Sequence, residues 1–366
     1  MSKPILHKGF VFLLFLMTSP QEVQKNKASI YYGTPATIAV PETHHRSKVS
    51  PVQEEYMPPD TLIQHLGRDN IPISYSKNIR TSVCFDNQCR LLVAKVHWNP
   101  TGRYLGYSLP EGEFLSKKEH DPFSVQEYER LNSLLADPNL PLGSISYNEL
   151  VLESQAPLVG IDGVSGATNQ DLLAYIVEGA AYTTYKLYQI LYGPDRQFIE
   201  NWTRETLNEA FVIEALKSPE IADQLWLLKV LKGRLSEFPI ARQQIAELTK
   251  SPNFSLADNA LQAFSERDLE DDQITNLLFD LFEMGDYGKR NRILALLESS
   301  KTVNTISIKR LSEHVLQLES PFQVRVIRLF EKHKIKNSAF DQAMKQLSQS
   351  NNDFVAQEAR SYLKLR

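Results

Sequence analysis

Cysteine is nearly absent from this chain. Its 366 residues hold two, Cys84 and Cys89. Two thiolates alone cannot complete a structural zinc site, which takes four ligands. Both sit in "VCFDNQCR", where Asp86-Asn87 is turn chemistry between apolar arms, so a hairpin with one cysteine on each arm is expected. A disulfide, two free thiols and a redox pair all satisfy that spacing, and export would favour the disulfide. Excess positive charge is lacking too. Lys and Arg number 40 against 44 Asp and Glu, net −4, with the signs interspersed. That excludes the electrostatic footprint of a nucleic-acid binder. No apolar run reaches the roughly 18 residues of a membrane-crossing helix. A hydrolase elbow is missing as well. "GVSGA" has Ala167 where the second glycine of Gly-x-Ser-x-Gly belongs, and no Asp and His partners can be assigned.

What is present begins with Lys3, His7 and Lys8, followed by the apolar run Gly9 to Met17. A basic stretch before a short apolar one reads as a secretory signal over residues 1–19, with a buried N-terminal helix as the alternative. No clean cleavage pattern follows, so membrane contact is expected only through this segment if it is retained. Export implies a periplasmic or cell-surface protein. Residues 20–57 are polar, with scattered prolines, and read as a flexible arm.

Residues 58–195 read as an α+β domain. "PPDTLIQHLG" (58–67) has a helix start at Pro59-Asp60 and a stop at Gly67. From about 71 to 110, β-branched and aromatic residues broken by Asp86-Asn87 and Pro100-Thr101-Gly102 predict an antiparallel meander. Tyr128, Leu131, Leu134 and Leu135 follow helical spacing within 121–138. A single helix is expected over 169–192, with Leu173, Ile176, Val177, Ala180, Thr184, Leu187, Ile190 and Leu191 on one stripe and Gly193-Pro194 at its end.

Residues 196–366 repeat. Leu227, Ala260, Ile293, Val326 and Ala359 are spaced evenly by 33 residues. The same step relates Val230, Ala263, Leu296, Leu329 and Tyr362, then Leu231, Phe264, Leu297, Phe330 and Leu363. Ile245, Leu278, Leu311 and Met344 keep it on a second helix. Paired helices in register predict an all-α solenoid. It resembles HEAT-type repeats, with a shorter period. The ankyrin "TPLHxA" and the tetratricopeptide Trp/Gly/Tyr patterns are absent. Its expected role is a surface for a partner.

The stretch "IDGVSGATNQDL" (161–172) carries the most chemistry. Thr168 can cap a helix, with Asp171 reaching back to it. A second reading makes a phosphate site: free amides of a helix start, small Gly166 and Ala167, and the hydroxyls of Ser165 and Thr168. Asp162-Gly-Val-Ser165-Gly166-Ala167-Thr168 also resembles the flavinylation motif of the FMN-binding domain family, Asp-x-x-Ser/Thr-Gly-Ala-Thr/Ser. That family includes flavin subunits of the sodium-pumping quinone reductase and of Rnf complexes. The resemblance implies that a flavin transferase esterifies the phosphate of FMN to Thr168. It makes Asp162, Ser165, Gly166 and Ala167 residues that the transferase reads or that line the phosphate. The seven residues match closely and residues 80–193 only loosely. Asn169 and Gln170 depart from the Thr-Ser that usually follows. An isoalloxazine needs flat walls and a few polar groups. "VHWNPTGRYLGY" offers His97, Trp98, Tyr104 and Tyr107, or these are plain core. Lys117, Lys118 and His120 either neutralise phosphate or belong to a solvated loop. The expected function is an exported electron-transfer flavoprotein with covalent FMN, its repeats docking a redox or other partner protein. The alternative is a flavin-free interaction scaffold.

Overall fold

The computed structural model describes residues 29–32, 36–51, 61–82, 91–117, 120–146, 149, 151–152, 167–168 and 170–365. Six strands form one antiparallel sheet: β1 (Ser29–Tyr32), β2 (His44–Val49), β3 (Thr61–Leu66), β4 (Pro72–Thr81), β5 (Leu92–Trp98) and β6 (Tyr104–Leu109), in the order β1-β6-β5-β4-β3-β2. The expected meander is there. β4 and β5 pair up to Thr81 opposite Leu92, so both cysteines fall in the connection between them. Cys84 and Cys89 themselves lie outside the described residues.

Two expectations are corrected here. Thr61–Leu66 is a strand, not part of a short helix: Leu62, Gln64 and Leu66 are buried and alternate with more exposed neighbours. Leu62 and Leu66 are four apart, a spacing that strand and helix share. Gln64 decides between them, because its amide donates inward to the Tyr75 hydroxyl at 2.6 Å. The segment read as a flexible arm also contributes both edge strands. All six side chains of β2 are exposed, which is why its sequence reads as polar.

One face of the sheet is covered by α1 (Val125–Ala136), α2 (Ala181–Tyr192) and α3 (Pro194–Glu205). Ser124 and Glu127 form a capping box at the start of α1, and Tyr128, Leu131, Leu134 and Leu135 are buried as expected. The single helix expected over 169–192 is broken. Gln170–Tyr175 is a 3-10 turn, Gly179 takes φ +72°, and α2 begins only at Ala181. Glycine is a poor interior helix residue, and here its freedom makes the break. Pro194 opens α3 rather than closing the domain. Ile199 and Trp202 of α3 join the sheet core with Tyr75, Trp98, Leu131 and Leu187. The first core therefore runs past residue 195. Lys77 of β4 reaches Asp195 at 2.8 Å with both side chains buried, and Ser50 donates to the same carboxylate.

The remaining described helices form five pairs: α4 (Glu209–Leu216) with α5 (Ile221–Leu231), α6 (Ala241–Leu248) with α7 (Phe254–Gln262), α8 (Asp272–Met284) with α9 (Tyr287–Ser299), α10 (Thr305–His314) with α11 (Ser320–Lys332), and α12 (Ser338–Leu347) with α13 (Asp353–Lys364). The second helices of the pairs pack on one another in turn, as do the first. Leu227, Ala260, Ile293, Val326 and Ala359 are each at most 1% exposed, so this column is the spine of one core. Caps keep the same register. Asn253, Asp286 and Asn352 cap α7, α9 and α13, while Asp271, Asn304 and Asn337 cap α8, α10 and α12.

The sheet and the helix pairs meet at a buried carboxylate. Asp223 of α5 is fully buried and accepts from Thr101 at 2.5 Å, Ser218 at 2.9 Å, Asn99 at 3.2 Å, Arg103 at 2.7 and 3.0 Å, and Thr37. Asn99, Thr101 and Arg103 belong to the β5–β6 turn, which Gly102 completes at φ +79°. Burial alone would raise this carboxyl. The Arg103 guanidinium and the hydroxyls of Thr101 and Thr37 override it and hold it below the usual carboxylate range.

The spine yields a direct test. Ile293→Ala should remove about 2–5 kcal/mol of stability, read as a lower urea midpoint. Ala295→Ser, on the exposed side of the same helix, should leave the midpoint unchanged.

Candidate functional site

Thr168 lies in a two-residue strand. β7 (Val151–Leu152) pairs antiparallel with β8 (Ala167–Thr168), Val151 opposite Thr168 and Leu152 opposite Ala167. Its backbone is therefore extended. The nearest α-helix, α2, starts at Ala181 with Ala180 as a cap that makes no side-chain bond. Both the capping role for Thr168 and the phosphate site at an α-helix start are corrected by this. The error came from reading the stripe through Gly179 as continuous. Asp162, Ser165 and Gly166 lie outside the described residues.

The segment after the motif is tied down at several points. Arg130 of α1 donates to the Ala174 carbonyl. The Val177 amide donates to the Thr184 hydroxyl at 3.2 Å, and Ile176, Val177 and Ala180 are buried in the sheet core. Gly179 lies against the Lys117 side chain, where a Cβ would meet Lys117 Cβ at 3.4 Å. Lys117 is in turn held by Glu127 at 2.9 Å, a structural engagement that the sequence did not disclose. Lys118 is outside the described residues, and His120 is an exposed turn residue with φ +66°.

The expected ring walls do not form one surface. Trp98 is fully buried, and its indole donates to the Leu191 carbonyl at 3.0 Å. That carbonyl is at the C-terminal end of α2, whereas the motif segment joins its start. Tyr104 and Tyr107 are core residues, with hydroxyls donating to Asn132 at 2.7 Å and to the Tyr128 carbonyl at 3.3 Å. His97 neighbours Trp98 on β5 and so points to the opposite face of the sheet. The residues present thus do not fit a flavin ring at His97 and Trp98. Aromatics on the segment that leaves the motif are Tyr175, Tyr182 and Tyr185, all half-buried. Tyr185 is fixed by donating to the Ile145 carbonyl at 3.1 Å. No protein family, curated protein or solved structure matches the chain.

On the outer face His97 belongs to a polar row that the sequence reading missed. His97 Nε2 lies 3.1 Å from Ser108 Oγ, and His65 Nε2 lies 2.7 Å from Ser76 Oγ. Glu42 approaches His65 Nδ1 at 2.9 Å, yet that nitrogen has no aligned hydrogen-bond partner. The carboxylate sits off the N–H axis. Acid, imidazole and hydroxyl thus stand in sequence, but Ser76 is fully buried and cannot meet a substrate. The alternation of polar residues along β3, β4 and β5 was the available signal. Among the described residues no group of three His, Cys, Asp or Glu side chains could hold a metal.

Burial, aided by Lys95 and His65, pushes the His97 imidazole down to about 4. A free histidine titrates near 6.5, so between those values the unfolded chain takes up a proton that the folded one does not. Stability should therefore fall as pH drops through that window, by on the order of 3 kcal/mol at most. His97→Gln should flatten this part of the stability profile, measured by urea unfolding at stepped pH.

Proposed function

We propose that the chain is an exported flavoprotein that carries FMN on Thr168 and serves electron transfer, and that its helix pairs form a HEAT-like α-solenoid that docks a partner. The observation that carries this reading is the constellation Asp162, Ser165, Gly166, Ala167 and Thr168, more elaborate than a cap requires. The extended backbone at Thr168 supports it further, since an acceptor hydroxyl on a strand is not wrapped into a helical turn. A flavin transferase would join the phosphate to Thr168 Oγ1 as an ester: the new P–O bond forms as the bond from that phosphorus to the leaving group of the flavin donor breaks, and the leaving group takes up the hydroxyl proton. Bound FMN would supply the redox chemistry, and this chain's own contribution is to hold and orient it. Tyr175, Tyr182 and Tyr185 are half-buried aromatic side chains on that segment. His97 and Trp98 take no part. Covalent attachment suits an exported protein, because free FMN is scarce outside the cell.

A second reading has an observation of its own. The helix pairs carry a separate apolar core with every spine position filled, which is what a flavin-free interaction scaffold needs.

The two separate by intact mass. Chain produced in cells that contain a flavin transferase should gain one FMN less one water, and Thr168→Ala should gain nothing. An unmodified, colourless parent would leave the scaffold reading as the better one.

A further inference from the structure

The 33-residue step allows each interval between helix pairs to be compared with the next. Between α9 and α11, Arg325 holds the Glu298 carboxylate by two bonds of 2.7 Å, from Nε and Nη2. Its Nη1 donates to Asn291 at 2.5 Å. Lys332 donates to the Glu298 carbonyl at 2.6 Å and closes the same corner. One step earlier, between α7 and α9, the arginine recurs as Arg292. Asn291 becomes Asp258, which Arg292 Nη2 reaches at 3.4 Å. The acid does not recur. Ser265 stands at the position of Glu298, Ala295 at that of Arg328 and Ser299 at that of Lys332. Asp258 is therefore the one ion partner of Arg292 among the described residues.

With three long side chains replaced by short ones, a cleft of about 340 Å³ opens in this interval, and Ser265, Arg292, Ala295 and Ser299 are in its wall. Its floor is apolar, because Leu261, Phe264 and Ile293 are buried there. Its rim is charged and exposed: Lys232, Arg292 and Glu266. Lys232 precedes Ser265 and Glu298 in the same column and has no ion partner among the described residues. Relative to the α9–α11 interval, an acid has become serine and a serine has become lysine. Two cations thus face one acid, in a chain whose net charge is −4.

The neighbouring interval shows what this arginine column accepts, which is a carboxylate delivered by polypeptide. A two-pronged arginine–carboxylate pair is among the stronger hydrogen-bonded contacts. We propose that the α7–α9 cleft binds the C-terminal residue of a partner protein, one with an apolar side chain. The terminal carboxylate takes the place on Arg292 that Glu298 takes on Arg325, and Lys232 adds a second positive charge. The apolar side chain lies on Leu261, Phe264 and Ile293, out of water. Glu266 accepts the amide N–H of that last residue, a donor that a free monocarboxylic acid lacks. Capture of a chain terminus is a recurring mode of peptide recognition. This rests on the reading of the helix pairs as a docking element and not on the flavin.

Methyl NMR of the full chain tests it, with the alanine methyls isotopically labelled. The Ala295 signal reports on the cleft and is identified by its loss in Ala295→Ser. The probe is N-acetyl-Gly-Ser-Leu with a free carboxylate, and a saturable shift of the Ala295 methyl is expected. The same peptide as its C-terminal amide should bind about tenfold or more weakly, because the charge-assisted pair is lost. Arg292→Gln should weaken the free-acid peptide as much. Ser265→Glu, which supplies the acid from the chain itself, should abolish binding. Ser265 also bonds Asp268 at 2.8 Å in the following turn, so Arg292→Gln and the amide carry the test if that variant melts early. No saturable shift, an amide that binds as well as the acid, or binding that Arg292→Gln leaves intact would overturn the proposal. So would isocaproate binding as tightly as the peptide, in which case the cleft is a site for a free acid and not for docking. Peptide binding that leaves the Ala295 methyl unmoved keeps docking and removes the cleft from it. The mass of the Thr168 adduct is unaffected in every case.

Discussion

The sheet half and the helix pairs of this structure meet around the buried carboxylate of Asp223. An ionised group out of water is costly unless its lone pairs are filled, and here five side chains fill them. Four of these, Thr37, Asn99, Thr101 and Arg103, come from the sheet half. The acid can exist only where the β5–β6 turn delivers its donors. The turn in turn gains its fixed partner only when α5 is folded. Lys77, Ser50 and Asp195 repeat the arrangement between the sheet and α3. The Lys77 network lies within the first core, and the Asp223 network is a buried polar link between the first core and the second. Ile38, Ile71 and Ile73 of the sheet half also pack on the helical core.

This explains why the first helix pair departs from the repeat. Three of the four later pairs place the buried Leu256, Phe322 and Val355 where α5 has Asp223, and α9 has the half-buried Lys289 there. α5 faces a polar turn instead. A stacked repeat array needs a distinct terminal unit to close its apolar end. In this chain the sheet half stands against the first helix pair at that end. Ile176, Val177, Ala180 and α2 lie on the covered face of the sheet, and the His65–His97 row lies on the other.

Much of this was legible in the sequence because single residues set it. The 33-residue columns became spine residues almost without exception, since a repeat that packs on itself forces the same apolar positions to recur. α1 was legible from Tyr128, Leu131, Leu134 and Leu135. The 58–67 stretch was not, because Leu62 and Leu66 fit either period and Gln64 looks solvated until Tyr75 is known. The run from 169 to 192 misled because its apolar stripe continues across Gly179, and the break depends on contacts with Lys117 and Arg130 from distant positions. Trp98 and His97 were offered together as ring walls, yet neighbours on a strand face opposite ways, a rule the sequence alone could have applied. Asp223 was invisible for a different reason: four of its five donors lie more than a hundred residues away.

The most direct test of the joint is calorimetric unfolding of the parent beside Asp223→Ala. The account predicts one cooperative transition for the parent, because the two cores hold each other in place. It predicts two transitions for the variant, because Arg103 and its neighbours lose their shared acceptor. Two transitions already in the parent, or a variant that melts as the parent does, would contradict it.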